Sequence, residues 1–399
     1  MRVRFSAFAR GEEDRARRDL VSRIEAFWAE AIAHVGSGFP GDDVRALRAL
    51  ERTLSSLATR VAPGLSVELD GRRASGARLV IAPFEDAALG PLVDEMLRLA
   101  PRIEGLSVVR HRPELPVADA VRDVRDRLGP DLSGARARVG FSRGHLLEVV
   151  VHSPSFFGTA DELALDAANL LVPRLVGDEV FDEWVGSVDV APLARPSSLR
   201  VVADGASARE STLPLDEIAP AVSAAIRGVD AELPAAPYHR FCERAEWTLL
   251  EMDPPLADDY SEQDDLVFLS TLLPEAMKCF LQGSRFSSRR FSRHGECFAY
   301  VKVDARQDTA ERRHERRVEL EDALNHALVP GGLGCVIGAG IGARYVYLEL
   351  ALSELGPAIE VVLRRLRSQG VPRRSWILFC DSAWAREWVG VQEDTPPPP

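Results

Sequence analysis

The chain has 399 residues, 46% of them apolar, and a formal charge of −12. That length and apolar content can bury a core large enough for two domains. The negative field repels polyanions, which argues against a general affinity for nucleic acid or an anionic membrane. No run approaches the roughly 18 apolar residues of a membrane helix. The basic start MRVRFSAFARGEEDRARR passes at once into charge and does not read as a signal peptide. Lysine occurs only at Lys278 and Lys302, and this arginine bias, with abundant Ala, Gly and Pro, points to a GC-rich bacterial genome. Cys242, Cys279, Cys297, Cys335 and Cys380 form no CxxC pair and sit among apolar neighbours, the pattern of buried reduced thiols in a cytoplasmic protein.

MRVRFSAFA reads as a first strand. From an N-cap at Asp42, Val44, Leu47, Leu50, Leu54, Leu57 and Val61 recur at three- and four-residue steps, which predicts a helix ended by Pro63-Gly64. Leu65, Val67 and Leu69 alternate, GRRASG turns, and ARLVIAPF returns as the second strand of a hairpin. A helix over Leu89, Leu92, Met96 and Leu99 and a strand at LSVVRHR complete the order αββαβ. The order recurs with DAVRDVRDRL, ARARVGF, HLLEVVVH, DELALDAANLLV and EWVGSVDV, and again from ERRVELEDALNHAL to SWILFCD. LGP opens the second helix of the first and third copies, where proline suits an early helical position. CFAYVKVDA supplies a preceding strand for the third copy.

The expected fold is therefore α+β, built of repeated αββαβ, ferredoxin-like units with mainly antiparallel sheets and helices on one face, in two domains. Residues 1–192 form the N-terminal domain with two units, 193–238 a connecting region with one helix at 214–228, and 239–391 the C-terminal domain with the third unit. The end, QEDTPPPP at 392–399, is expected to be a disordered tail. Continuity of the sheets between copies is left open by the sequence.

Motifs that suggest chemistry fail their context. Gly338, Gly340 and Gly342 give GxGxG, but a dinucleotide site needs a helix after the glycines. Here Arg344 through Leu350 alternates like a strand, so the glycines read as a hairpin turn, with Tyr345, Tyr347 and Glu349 on one side of the second strand. Gly140-Phe141-Ser142-Arg143-Gly144 matches the nucleophile elbow GxSxG, yet LLEVVVH follows as a strand and makes the site a hairpin tip. Glu315, Glu319, Asp322 and His326 share one helix face opposite Leu320, Leu324 and Ala327, the pattern of a solvated side rather than a metal site. His294 and Cys297 do not suggest a nucleophile, because Cys297 starts a buried strand. Trp184, Trp376, Trp384 and Trp388 read as core or rim aromatics.

The chemically richest stretch is RFSSRRFSRH at 285–294, where Arg285, Arg289, Arg290 and Arg293 interleave with Phe286 and Phe291. Arginine forks beside aromatic faces hold phosphates or stack on bases. The structural reading buries the phenylalanines and pairs the arginines with the acidic segment DDYSEQDD at 258–265. As a binding surface, the stretch would draw on Asp264, Asp265 and Glu296 as further polar groups.

From GECFAYVKVD through GARYVYLELAL and SWILFCDSAWAREWVGV, the C-terminal part of the chain resembles uncharacterised bacterial α+β proteins of ferredoxin-like type. In layout it is similar to small non-catalytic bacterial regulators and toxin-neutralising immunity proteins. The resemblance carries no catalytic motif and transfers no functional residue; it implies a protein-binding role. The expectation is a non-catalytic, cytoplasmic, immunity-like or regulatory protein without a cofactor. It would bind another, basic protein rather than a membrane or nucleic acid. The alternative is an enzyme or phosphate binder using the loop 285–293.

Overall fold

The computed structural model describes residues 12–35, 43–70, 77–83, 86–192, 212–281 and 283–399. Among them, ten α-helices and three separate, mainly antiparallel sheets form an α+β fold. The expected first strand and the GRRASG turn lie outside the described residues.

The first sheet has the order β1-β2-β3 (Leu65–Asp70, Ala77–Pro83, Leu106–Val109), with α1 (Glu12–Val35), α2 (Val44–Val61) and α3 (Gly90–Arg98) around it. Asp43, rather than Asp42, caps α2, its Oδ1 accepting from Arg45 N at 2.9 Å and Ala46 N at 3.1 Å. The predicted stripe Leu47, Leu50, Leu54, Leu57 and Val61 is buried, and Leu20, Ile24, Phe27 and Trp28 of α1 close the same core. Proline near the start of α3 stands where LGP placed it.

The second sheet, β6-β5-β4-β7, comprises β4 (Arg136–Phe141), β5 (Leu147–Ser153), β6 (Val185–Pro192) and β7 (Leu213–Pro214). It packs on α4 (Val117–Leu128), α5 (Asp161–Val176) and α7 (Ile218–Glu232). EWVG is not wholly a strand: Gly177, at φ 83°, ends α5, a short helix α6 (Asp178–Trp184) follows, and β6 begins only at Val185. The described part of the connecting region is built into this unit, since β7 pairs with β4 and Leu215, Ile218, Val222 and Val229 join its core. Ion pairs tie the first two sheets together. Arg112 binds Asp178 at 2.7 Å and also Glu68, and the buried Arg174 reaches Asp123 at 2.9 Å and Glu68 at 3.2 Å.

The third sheet has seven strands in the order β14-β13-β10-β12-β11-β9-β8. These are β8 (Thr248–Glu251), β9 (Leu266–Thr271), β10 (Cys297–Asp304), β11 (Gly334–Gly342), β12 (Tyr345–Leu352), β13 (Ser375–Phe379) and β14 (Trp388–Gly390). Helices α9 (Ala310–Leu328) and α10 (Leu355–Ser368) cover one face, burying Val301, Val346, Leu348 and Leu350 against Leu324, Val362 and Leu366. The order helix-strand-strand-helix-strand occurs at 44–109, at 117–192 with α6 interposed, and at 310–379. In the first two segments the last strand lies parallel beside the middle one. In the third, β10 stands between them, antiparallel to both β12 and β13.

Two expectations about this sheet change. The glycines of GAGIG are within β11, not in the turn, which falls after Gly342. They alternate on the face away from α9, where side chains cross over the strand. A Cβ on Gly338 would meet Glu349 Oε2 at 1.9 Å, on Gly340 Leu266 Cδ2 at 2.6 Å, and on Gly342 the Asp265 carboxylate at 2.4 Å. Residues 392–399 are also held: Trp376 Nε1 donates to Pro396 O at 2.6 Å, and Arg373 Nε to Asp394 O at 2.6 Å.

Candidate functional site

Strand alternation sends every second residue of β10, β12 and β13 to the face that α9 and α10 leave uncovered. There Tyr300, Lys302, Tyr345, Tyr347, Glu349, Trp376 and Leu378 line up, all buried. They are covered by the segment 252–265, by α8 (Pro274–Leu281), by the loop 283–296 and by residues 392–399.

Between these covering pieces lies a cavity of about 680 Å³. Asp253, Glu262, Asp264 and Glu387 are the acidic residues of its lining, and Phe280, Phe286 and Tyr300 contribute aromatic rings; no lysine, arginine or histidine is among the described residues that line it. Nearby cations are engaged elsewhere: Arg386 pairs with Asp86 at 2.5 Å, Lys278 with Glu275, and Arg285 with Asp182 at 3.2 Å. Glu262 holds a left-handed backbone, φ 36°, unusual for a residue with a side chain, while its carbonyl accepts from Tyr347 Oη at 3.3 Å.

Beside the cavity, buried titratable groups crowd the sheet. Glu349 neighbours Tyr300 across β10 and accepts from Thr271 Oγ1 at 3.0 Å; burial pushes its carboxyl up to about 7, against that hydrogen bond. The fully buried Lys302 donates to Tyr260 O at 2.6 Å and lies 4.3 Å from the Tyr345 ring centre. Burial pulls it down to about 8, opposed by Asp265 and Asp259. Asp265 accepts from Arg344 N at 2.6 Å, Tyr345 N at 3.1 Å and the Tyr347 hydroxyl. Burial raises Tyr347 well above the ordinary phenol value, and the Asp265 carboxylate adds to this. Burial likewise raises the thiol of Cys380, a cavity residue, and all five cysteines are free.

Of the charged residues singled out from sequence as binding groups, Asp264 alone lines the cavity. Asp265 turns to Lys302 and Tyr347, and Glu296 is buried, accepting from Tyr238 N at 2.9 Å and Ser292 Oγ at 2.8 Å. The arginines do not meet DDYSEQDD. Arg285 and Arg289 reach α6 instead, Arg285 to Asp182 O at 3.0 Å and Arg289 to Glu179 at 2.9 Å and Glu183 at 3.1 Å. Arg293 donates to the carbonyls of Pro234 at 2.9 Å and Asp230 at 3.3 Å, at the end of α7. Arg290 is fully buried, and its Nη2 donates to Arg285 O within the loop. Asp259 of the acidic segment pairs with Arg374 at 2.5 Å. The phenylalanines are buried as expected, Phe286 stacked between Phe280 and Phe291 with ring centres 5.1 and 5.0 Å away.

The remaining motifs contribute no residue to the described lining of the cavity. Ser142 is at a hairpin tip, bonded to Leu146 O through its backbone N–H at 2.7 Å. Gly144, at φ 67°, lies against Cys279, whose Sγ would be 2.2 Å from a Cβ placed there, and His145 Nδ1 contacts Arg290 O at 2.8 Å. Arg312 binds Glu315 at 3.1 Å and Glu319 at 3.0 Å on the exposed side of α9. Among the described residues no group of three His, Cys, Asp or Glu could hold a metal ion, and no helix is long and apolar enough to cross a membrane.

The tyrosines and Glu349 were visible as one side of an alternating strand. The cavity was not, because its carboxylates come from segments more than a hundred residues apart, such as Glu262 and Glu387. No protein family, no curated protein and no solved structure matches the chain.

Proposed function

We propose that the protein is a non-catalytic binding protein that receives a basic segment of another protein, with a lysine or arginine side chain entering the cavity beside Tyr300. The observation that carries this reading is the cavity's composition: four acidic residues and three aromatic rings, with no cationic side chain among the described lining residues. Carboxylates at the wall offset the loss of hydration of an incoming cation, and aromatic faces attract it further. The overall charge of −12 steers such a partner toward the protein and disfavours anionic competitors.

The alternative, an enzyme or phosphate binder on the loop 285–293, has less support, because Arg285, Arg289 and Arg293 are occupied by carboxylates and carbonyls of the chain itself. The reading is that of a cytoplasmic bacterial interaction protein of immunity-like or regulatory type. We read its three αββαβ segments as copies of one ferredoxin-like unit, supported by their common element order.

A fluorescent oligo-arginine peptide tests the binding by anisotropy at low and high salt, with an oligo-glutamate control. Saturable binding that weakens about tenfold in Glu262→Gln/Asp264→Asn supports the site. Binding unaffected by that double substitution rejects it. Free arginine or spermidine binding in place of the peptide would reject the protein partner while keeping the cation site.

A further inference from the structure

We propose that the surface around Trp376, Leu378 and Gly390 is a reading site for proline-rich segments, and that the chain's own residues 392–399 occupy it as an intramolecular ligand. The proposal does not rest on which molecule enters the cavity, although Pro398 and Pro399 form part of its wall.

Four consecutive prolines end the sequence, from Pro396 to Pro399. Their rings fix φ near −65°, and each residue before a proline is excluded from helical geometry, so the tract is preset as an extended polyproline helix. Such a helix has no backbone N–H to donate. It offers carbonyl acceptors and flat apolar rings, and a receptor for it must present aromatic surface and side-chain N–H groups.

The open face of β13 and β14 presents both. Trp376 Nε1, on a fully buried ring, donates to Pro396 O at 2.6 Å. Trp376 pairs across the strands with Gly390, and Leu378 with Trp388, so the floor is two indoles, a leucine and a gap. The gap is needed: a Cβ on Gly390 would stand 2.7 Å from Thr395 Cβ. Arg373 fixes the entry to the tract, binding Asp394 through both its carbonyl, at 2.6 Å, and its carboxylate, at 2.8 Å. Thr395 Oγ1 accepts from Gln392 N at 2.9 Å and turns the chain onto the sheet. Pro398 and Pro399 then line the cavity beside Tyr300 and Leu378. Pro396 and Pro398 are half-buried while Pro397 and Pro399 are exposed, so the tract rests on the surface rather than inside the core.

Ligands of this type bind weakly in trans, but a short tether gives an effective concentration on the order of millimolar. The full chain therefore keeps its own site filled, and a proline-rich segment from elsewhere gains access only by displacing the tail. In the test, a chain ending at Val391 is compared with the full chain by circular dichroism and titrated with a synthetic peptide of residues 392–399, following tryptophan fluorescence. Saturable binding to the shortened chain, at least about tenfold weaker in the full chain and in the shortened Trp376→Phe variant, supports the proposal. It is overturned if the folded shortened chain does not bind, or binds a peptide with alanine in place of every proline equally well. Should the shortened chain not fold, the full chain with Pro396→Gly and Pro398→Gly carries the test through maleimide labelling of Cys380. Labelling accelerated about fivefold and slowed again by the peptide supports the site, and an unchanged rate overturns it.

Discussion

The two faces of the seven-stranded sheet are made by the same strands and differ in almost everything else. Under α9 and α10, Val301, Val346, Leu348 and Leu350 pack in an apolar core that is mostly aliphatic. On the opposite face the alternate residues are Tyr300, Lys302, Tyr347 and Glu349, equally buried but joined by directed hydrogen bonds and charge. The aliphatic face stabilises by area removed from water, which tolerates small shifts of its neighbours. The polar face depends on each partner being in place, because a buried charge that loses its partner retains the full cost of leaving water. One sheet thus holds the fold by apolar area on one side and by paired polar groups on the other.

The sharpest way to break this contrast is to remove one partner from the polar side. Asp265→Ala deprives two backbone N–H groups and Tyr347 of their acceptor and leaves Lys302 without its principal counter-charge. It is expected to cost about 4 kcal/mol in urea unfolding, the order of loss when a buried charge is deprived of its compensating group. Leu348→Ala across the sheet, a much larger loss of apolar volume, is expected to cost about 3.5 kcal/mol. A much smaller loss for Asp265→Ala than for Leu348→Ala would show that the polar face is not interlocked.

A second contrast is with pH. The carboxyl of Glu349 sits at about 7 in the folded protein against an ordinary value near 4.5. Between those values the folded state keeps a proton that the unfolded chain has released. The contribution of Glu349 to stability is therefore undiminished below about pH 4.5 and falls as pH rises toward 7, by on the order of 3 kcal/mol. Glu349→Gln should remove that slope, so its stability relative to the parent rises across the window; parallel stability curves for the two proteins would contradict this. Substitutions under the helices, such as Leu348→Ala, should displace the curve without changing its slope.

The smallest effect is expected outside both faces. Arg289 is exposed and pairs with Glu179 and Glu183 on α6. Arg289→Ala should cost under about 1 kcal/mol and lose even that at high salt. A loss as large as that of Asp265→Ala would mean that the loop 285–293 is a principal support of the fold.

What could be read from the sequence was whatever has a local period. The three- and four-residue steps of α2, the alternation from Tyr345 to Leu350 and the LGP helix starts all depend on neighbours in the chain, and the structure has them in place. The glycines of β11 were misplaced because their reason is distant: Asp265 and Leu266, which cross over Gly342 and Gly340, lie more than seventy residues earlier. The partners of Arg285 and Arg289 are about a hundred residues away, so the nearer acidic run at 258–265 attracted the assignment instead. Helix α1 and the pair β8–β9 lay outside the repeated pattern and were not anticipated from it.

The hairpin tip at Gly144 has a mechanical consequence. Cys279 presses on it from one side and forms part of the cavity wall on the other, with no space for even one methyl group between the hairpin and the thiol. A side chain at position 144 would act as a wedge, driven from the second sheet into a chamber formed by the third. The glycine that looked like half of a hydrolase signature works as a clearance between two closely packed parts, and the shape of the chamber is set partly by a strand connection that is not among the described residues of its lining.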